Sequence, residues 1–208
     1  MRMIDRETGT VWTHLGGDAV QGPLQGARME MIPMPQMTWA DWVVLHPGTL
    51  VLSPDTEFSS RYRTPRIGAF NPREARFGDD RLPSNALVVG VEVNGQFEGY
   101  DIEDVRKSGS VVNDTLGGEP IVVVYDSATR TGIAYSRDVN GRALEFYNAS
   151  GQRLELRDRE TGSLWNREGR AVEGELAGAA ILFVPSFITE WYGWSGYHPE
   201  TALYEPEP

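Results

Sequence analysis

Between residues 87 and 147 apolar side chains fall on alternate positions or in continuous runs of strand length, with turn-forming pairs between the runs. Leu87-Val88-Val89-Gly90-Val91-Glu92-Val93 leads through Asn94-Gly95 into residues 96–102, and Asn-Gly between two such runs predicts a tight β-hairpin. A second run at residues 120–125 turns at 127–131 into Gly132-Ile133-Ala134-Tyr135, and Asn140-Gly141 turns the chain again into residues 142–147. Arg153-Leu154-Glu155-Leu156 alternates as a half-buried strand does, residues 158–162 supply a turn, and Ser163-Leu164-Trp165 begins a return strand. Residues 180–184 form a short apolar run, and residues 201–204 a closing strand. The period changes in only two places. Trp191, Trp194 and His198 share one face of a helix, as do Trp39, Trp42 and His46; Thr38 is placed to cap the first helix, and Pro199 and Pro47 end the two. The prediction is a mainly β fold with two repeat-related β-rich portions, each ending in a short aromatic helix.

The repetition runs through the whole of each portion. Asp5-Arg6-Glu7-Thr8-Gly9-Thr10-Val11-Trp12 aligns with Asp158-Arg159-Glu160-Thr161-Gly162-Ser163-Leu164-Trp165. After a one-residue gap, Val20, Gly22, Leu24, Gly26 and Ala27 match Val172, Gly174, Leu176, Gly178 and Ala179, and Pro33 matches Pro185. Trp39, Trp42, His46, Pro47 and Thr49 then match Trp191, Trp194, His198, Pro199 and Thr201. Ordered identity in such rare residue types marks a duplication. No hairpin ladder precedes the first copy, so residues 1–52 read as the back half of a unit and residues 82–204 as a complete one, with an Arg/Pro-rich connector at 53–81 and a tail at 205–208. The incomplete unit is expected to carry apolar surface and strand edges that need a cover.

Charge narrows the partners. With 19 basic and 30 acidic residues the net charge is -11, which opposes the counterion release that nucleic-acid binding relies on. No apolar run approaches the ~20 residues of a membrane span. Residues 1–5 lack the apolar core of an export signal. The absence of cysteine removes disulfides, thiolate metal sites and thiol nucleophiles.

The candidate chemistry lies in the repeated motifs. Asp158 and Glu160 flank Arg159 and could form an acid/base or cation site with His198; the same residues are also preferred turn formers. His46 and His198 could serve as bases, or pack on tryptophan at a helix end, while His14 is expected at the surface. With three histidines and no cysteine, neither a metal site nor a cofactor is expected. Trp191 and Trp194 are expected in the core, leaving Tyr192 and Tyr197 for contact with a partner. Arg61, Tyr62 and Arg63 would let the connector act as a partner-binding strap. Asn113-Asp114 ahead of Gly117-Gly118 fits either a cation- or phosphate-binding loop or a simple connection between strands.

Residues 111–120 (Val-Val-Asn-Asp-Thr-Leu-Gly-Gly-Glu-Pro), the strand at 122–125, the Asp158 to Gly162 motif and His198-Pro199 resemble a bacterial and archaeal family, domain of unknown function 3179. The resemblance implies two successive units of this kind, the first here lacking its front half. It implies no established activity, and leans toward a location outside the cytoplasm. Many members carry a Cys-Pro-Leu-Cys-Gly segment where this chain has Asp126-Ser127-Ala128-Thr129, so a thiol role does not carry over. The expected function is a non-catalytic binding or structural subunit, contacting another protein or itself. The alternatives are a hydrolase using Asp158, Glu160 and His198, and a small-ligand binder with an aromatic pocket between the halves.

Overall fold

The computed structural model describes residues 2–34, 37–62, 79–150 and 153–206, and the chain divides into two compact units at Met34/Pro35. This division falls before the end of the first copy at residue 52, so the copy and the compact unit differ in extent. In the smaller unit Arg2–Ile4 (β1), Val11–Thr13 (β2) and Ala19–Gln21 (β3) form an antiparallel sheet in that order. Gly9, with φ +71°, turns β1 into β2.

The larger unit begins with the helix Trp39–Leu45 (α1) and a 3₁₀ turn at Ser59–Arg61. There follow Leu87–Val93 (β4), Gln96–Asp101 (β5), the helix Ile102–Lys107 (α2), Val111–Leu116 (β6), Glu119–Asp126 (β7), Thr131–Ser136 (β8), Asp138–Val139 (β9), Arg142–Ala143 (β10) and Phe146–Asn148 (β11). The second copy contributes Leu156–Asp158 (β12), Leu164–Trp165 (β13), Ala171–Glu173 (β14), Phe183–Val184 (β15), Ser186–Glu190 (β16), the helix Trp191–Tyr197 (α3) and Ala202–Leu203 (β17). Among its described residues, apart from the small ribbon β10-β9, three sheets build this unit, with strand orders β16-β4-β5-β17, β15-β8-β7-β6 and β11-β12-β13-β14.

The layering explains the apolar runs. In β7, Ile121, Val123 and Tyr125 enter one core cluster with Val89, Val91 and Val93 of β4, while Val122 and Val124 enter another with Phe146, Leu156 and Trp165. A strand covered on both faces must be apolar at every position, whereas β12 alternates. On the outer face of β4, Val88 packs with Trp191 and Trp194. Here the sheet has no room for side chains. Gly90 and Gly99 are cross-strand partners in the β4–β5 hairpin. A Cβ on Gly90 would collide with the Trp194 ring, and one on Gly99 would lie 2.9 Å from Trp191 Cζ3. The aromatic helix therefore sits in a notch made by two missing side chains.

Several elements escape the periodicity. Helix α2 has two inward apolar residues, Ile102 and Val105, too few for a pattern; Asp101 caps it by accepting from the Glu103 N–H at 2.9 Å. β6 carries Asn113, Asp114 and Thr115, which read as a loop although they form an edge strand. β16 follows directly on Pro185, hidden behind the apolar run before it. We predict that Gly90→Ala destabilises the fold by about 3 kcal/mol. Gly95→Ala, whose added Cβ meets nothing within 4 Å but whose φ is +75°, should cost about 1 kcal/mol. Urea unfolding of both variants checks the order.

Candidate functional site

The duplicated Asp-x-x-Thr-Gly turn is a polar hub in both copies, built from the same bonds. Asp158 accepts from the Thr161 N–H at 2.6 Å, the Thr161 hydroxyl at 2.8 Å and the Trp165 indole at 2.9 Å. Thr161 in turn bonds the Ser163 hydroxyl at 2.7 Å, and Ser163 accepts from the Leu176 N–H at 3.0 Å. In the first copy Asp5 accepts from the Thr8 N–H at 2.6 Å, the Thr8 hydroxyl at 2.8 Å and the Trp12 indole at 2.9 Å. Thr10 takes the place of Ser163 and accepts from the Leu24 N–H at 3.3 Å. Glycine is required opposite this hydroxyl residue: a Cβ on Gly174 would lie 2.7 Å from the Ser163 Cα, and one on Gly22 2.8 Å from the Thr10 Cα.

The hub sets the protonation of its carboxylates. Burial pushes Asp158 up, but the Trp165 indole, the Thr161 hydroxyl and the Thr161 N–H outweigh it and hold the carboxyl below its usual range. The Trp12 indole and then the Thr8 N–H hold Asp5 low in the same way. Such carboxylates are locked acceptors. Asp158 is fully buried, and Glu160 accepts from the Glu145 N–H at 3.0 Å, tying the turn to the residue that leads into β11. His198 lies on a different sheet, at the end of α3, stacked on Phe97 of β5 at 3.9 Å between ring centroids. Asp158 and Glu160 thus share one turn, while His198 serves a separate element.

Other predicted contact residues are scattered. Trp191 and Trp194 are buried, Tyr197 is exposed and Tyr192 half-buried with its N–H donating to the Ser84 carbonyl at 2.9 Å. In the connector Arg61 lies over the Phe58 ring at 5.3 Å and the Tyr62 hydroxyl bonds Thr56 at 2.7 Å, while Arg63 falls outside the described residues. Asn113 is a strand clamp: its amide donates to the Phe146 carbonyl and accepts from the Phe146 N–H, both at 2.8 Å. Asp114 accepts from the Tyr100 hydroxyl at 2.9 Å, and Gly117-Gly118 make the β6–β7 turn. Among the described residues no group of three or more His, Asp or Glu is arranged to hold a metal ion.

The two aromatic helices share their internal geometry and differ in their cover. Trp194 donates its indole N–H to the Thr201 hydroxyl at 2.8 Å, and Trp42 does the same to Thr49 at 2.8 Å. Trp194 and His198 are 4.4 Å apart between ring centroids, and Trp42 and His46 4.3 Å. Yet Trp191 is 0% exposed, whereas Trp39 is 53% exposed. Helix α1 buries no residue; its own Val44, and Leu50, Val51 and Leu52 after it, stand exposed, Leu50 at 94%. In the smaller unit β1 is exposed throughout, and among the described residues no strand pairs with the edge that β11 occupies on β12.

Sequence reasoning missed one further group. Asp126, at the end of β7 and only 3% exposed, pairs with Arg167 at 2.8 Å, and the Tyr135 hydroxyl donates to the Arg167 carbonyl. Asp126 and Leu154 line both a cavity of about 440 Å³, shared with Arg106, Lys107 and Arg153, and one of about 260 Å³ bounded by Val124, Ile133 and Trp165. A signal was present in the alignment: Arg167 stands where the first copy has His14, so this pair belongs to the second copy alone.

The profile of the family described as "Protein of unknown function (DUF3179)" matches residues 1–201, and the chain belongs to this family. No curated protein and no solved structure matches the chain.

Two outcomes follow for the buried carboxylates. A carboxyl held low in the fold stabilises it above the unfolded pKa and loses that contribution as pH falls toward the folded value. Stability should therefore drop below about pH 4, and less steeply in Asp158→Asn, which should already have lost about 2 kcal/mol at neutral pH; urea titrations across pH read both. Arg167→Ala should cost about 2 kcal/mol by stranding the Asp126 charge, and adding Asp126→Asn should recover part of it.

Proposed function

We propose that this member of the family is a non-catalytic binding or structural subunit that makes protein–protein contacts, in a larger assembly or a homo-oligomer. The observation that carries this reading is the open surface formed by Trp39, Val44 and residues 50–52, since the counterpart of Trp39 in the second copy is covered by a sheet. An aromatic and aliphatic surface of this kind gains free energy when a partner removes it from water. Trp39 supplies the large anchor that dominates such contacts. Among the described residues no strand pairs with the outer edge of β1, which offers its backbone to an incoming strand.

A second reading, small-ligand binding, is favoured by the two cavities that share Asp126 and Leu154. A hydrolase would need its groups in one pocket, and neither Asp158, Glu160 nor His198 lines either cavity.

The contact reading is tested on the chain purified gently from its source cells. Light scattering should give a mass above the 23.1 kDa of one chain, with any second component co-eluting in fixed ratio. Trp39→Ser combined with Leu50→Ser should weaken that association at least ~10-fold while leaving the urea midpoint of the larger unit unchanged. A free monomer at every concentration, with nothing co-eluting, would refute the reading.

A further inference from the structure

Resting on the small-ligand reading above, we infer that the cavity of about 260 Å³ binds a small uncharged compound, an apolar body of ring size carrying a hydrogen-bond-accepting oxygen, with that oxygen held by the guanidinium of Arg167.

The cavity lies wholly in the larger unit. Val124 of β7 and Ile133 of β8 line it from one sheet, Leu156 of β12 and Trp165 of β13 line it from the next, and Leu45 of α1 adds a further apolar wall. Such walls select apolar matter: a space of ~150 Å³ lined by aliphatic and aromatic side chains stays dry and admits benzene. A volume of about 260 Å³ therefore has room for a ring with a short substituent, ~10 non-hydrogen atoms.

The polar groups of the wall decide what that substituent is. Asp126 is 3% exposed, and its Oδ1 accepts from the Ala128 N–H at 2.9 Å. Its Oδ2 is closed to solvent and lies 2.8 Å from Arg167 Nη2, a contact of charge against charge without an aligned N–H. Arg167 is anchored through its backbone, whose carbonyl accepts from the Tyr135 hydroxyl. Its side chain is 25% accessible and has Asp126 as its only partner among the described residues. A guanidinium carries donors and no acceptor, so what this one still lacks is an acceptor.

Charge on the ligand is ruled out by the same residues. Among those described, Asp126, Arg167 and Glu168 are the charged residues that line the cavity. An anion would approach an Arg167 already neutralised by Asp126, with Glu168 nearby, and would forfeit its hydration for little return. An ammonium group would find Asp126 closed off and Glu168 exposed to water, where a charge pair is worth little. A carbonyl, amide or ether oxygen avoids both losses. The neighbouring cavity of about 440 Å³ makes no such demand, because Arg106 and Lys107 in its wall are already paired with Glu103 at 2.9 Å and Asp104 at 2.7 Å.

Four probes of nearly equal size test this on the full chain: acetophenone, benzoate, benzylamine and ethylbenzene, titrated while the Thr131 and Ile133 amides and the Trp165 indole N–H are followed by NMR. Acetophenone should shift these signals saturably with a Kd below ~1 mM, at least ~10-fold tighter than each of the other three. Arg167→Lys, which keeps a positive charge beside Asp126 but loses the planar fork, should weaken acetophenone ~10-fold and leave ethylbenzene unchanged, with the β7 amide signals reporting that the fold is kept. Ethylbenzene binding as tightly as acetophenone would overturn the oxygen contact, and tighter binding of benzoate or benzylamine would overturn the uncharged class; in both cases the small-ligand reading stands. Shifts by none of the four up to their solubility would overturn the inference and the small-ligand reading of this cavity together. Equal weakening of acetophenone and ethylbenzene in Arg167→Lys would also overturn the contact, since it would mark Arg167 as a support of the cavity's shape alone.

Discussion

Two tryptophans resting on two paired glycines organise the larger unit. The β4–β5 hairpin has to be flat at Gly90 and Gly99 because α3 lies directly on it, and it has to be apolar underneath because β7 lies on the other side. Glycine costs strand stability by its entropy and its lack of packing. Here that loss is offset by full burial of two indole rings, each with its N–H satisfied, Trp191 by the Asp79 carbonyl and Trp194 by Thr201. The helix has only seven residues and no side-chain cap, so it owes its existence to this contact more than to its own propensity.

The duplication separates what each half-repeat can do alone from what it needs from outside. The Asp-x-x-Thr-Gly hub and the aromatic helix recur with bond lengths that agree closely between copies, so both are set locally by sequence. Burial does not recur, because it depends on the strands that lead into a copy. Asp158 is sealed beneath the sheet that β11 begins, while Asp5 keeps the same partners with partial exposure. That contrast makes the first copy a natural control for the second, in which the matching tryptophan is buried.

Much of this was legible in the sequence. The Asn94-Gly95 hairpin, the runs that became β7 and β8, the mainly β class and the capped aromatic helix all follow from periodicity and turn chemistry. The burial of Trp191 and Trp194 also followed, but the exposure of the matching Trp39 did not, since exposure depends on packing beyond the repeat itself. The role of Asn113 was not legible because a side chain that imitates a neighbouring strand leaves no periodic trace. Nor was the Asp126–Arg167 pair, whose members are joined only by tertiary packing.

The central claim is that α1 and residues 50–52 form a face made to be covered from outside the described fold. Amide hydrogen exchange of residues 39–52 tests it most directly, measured on the chain in its native complex and again after isolation and dilution. The account predicts protection in the first state and near-complete loss in the second, with the β7 and β8 amides protected in both. Protection at 39–52 that persists in the isolated, diluted chain would contradict it, because the face would then be satisfied from within.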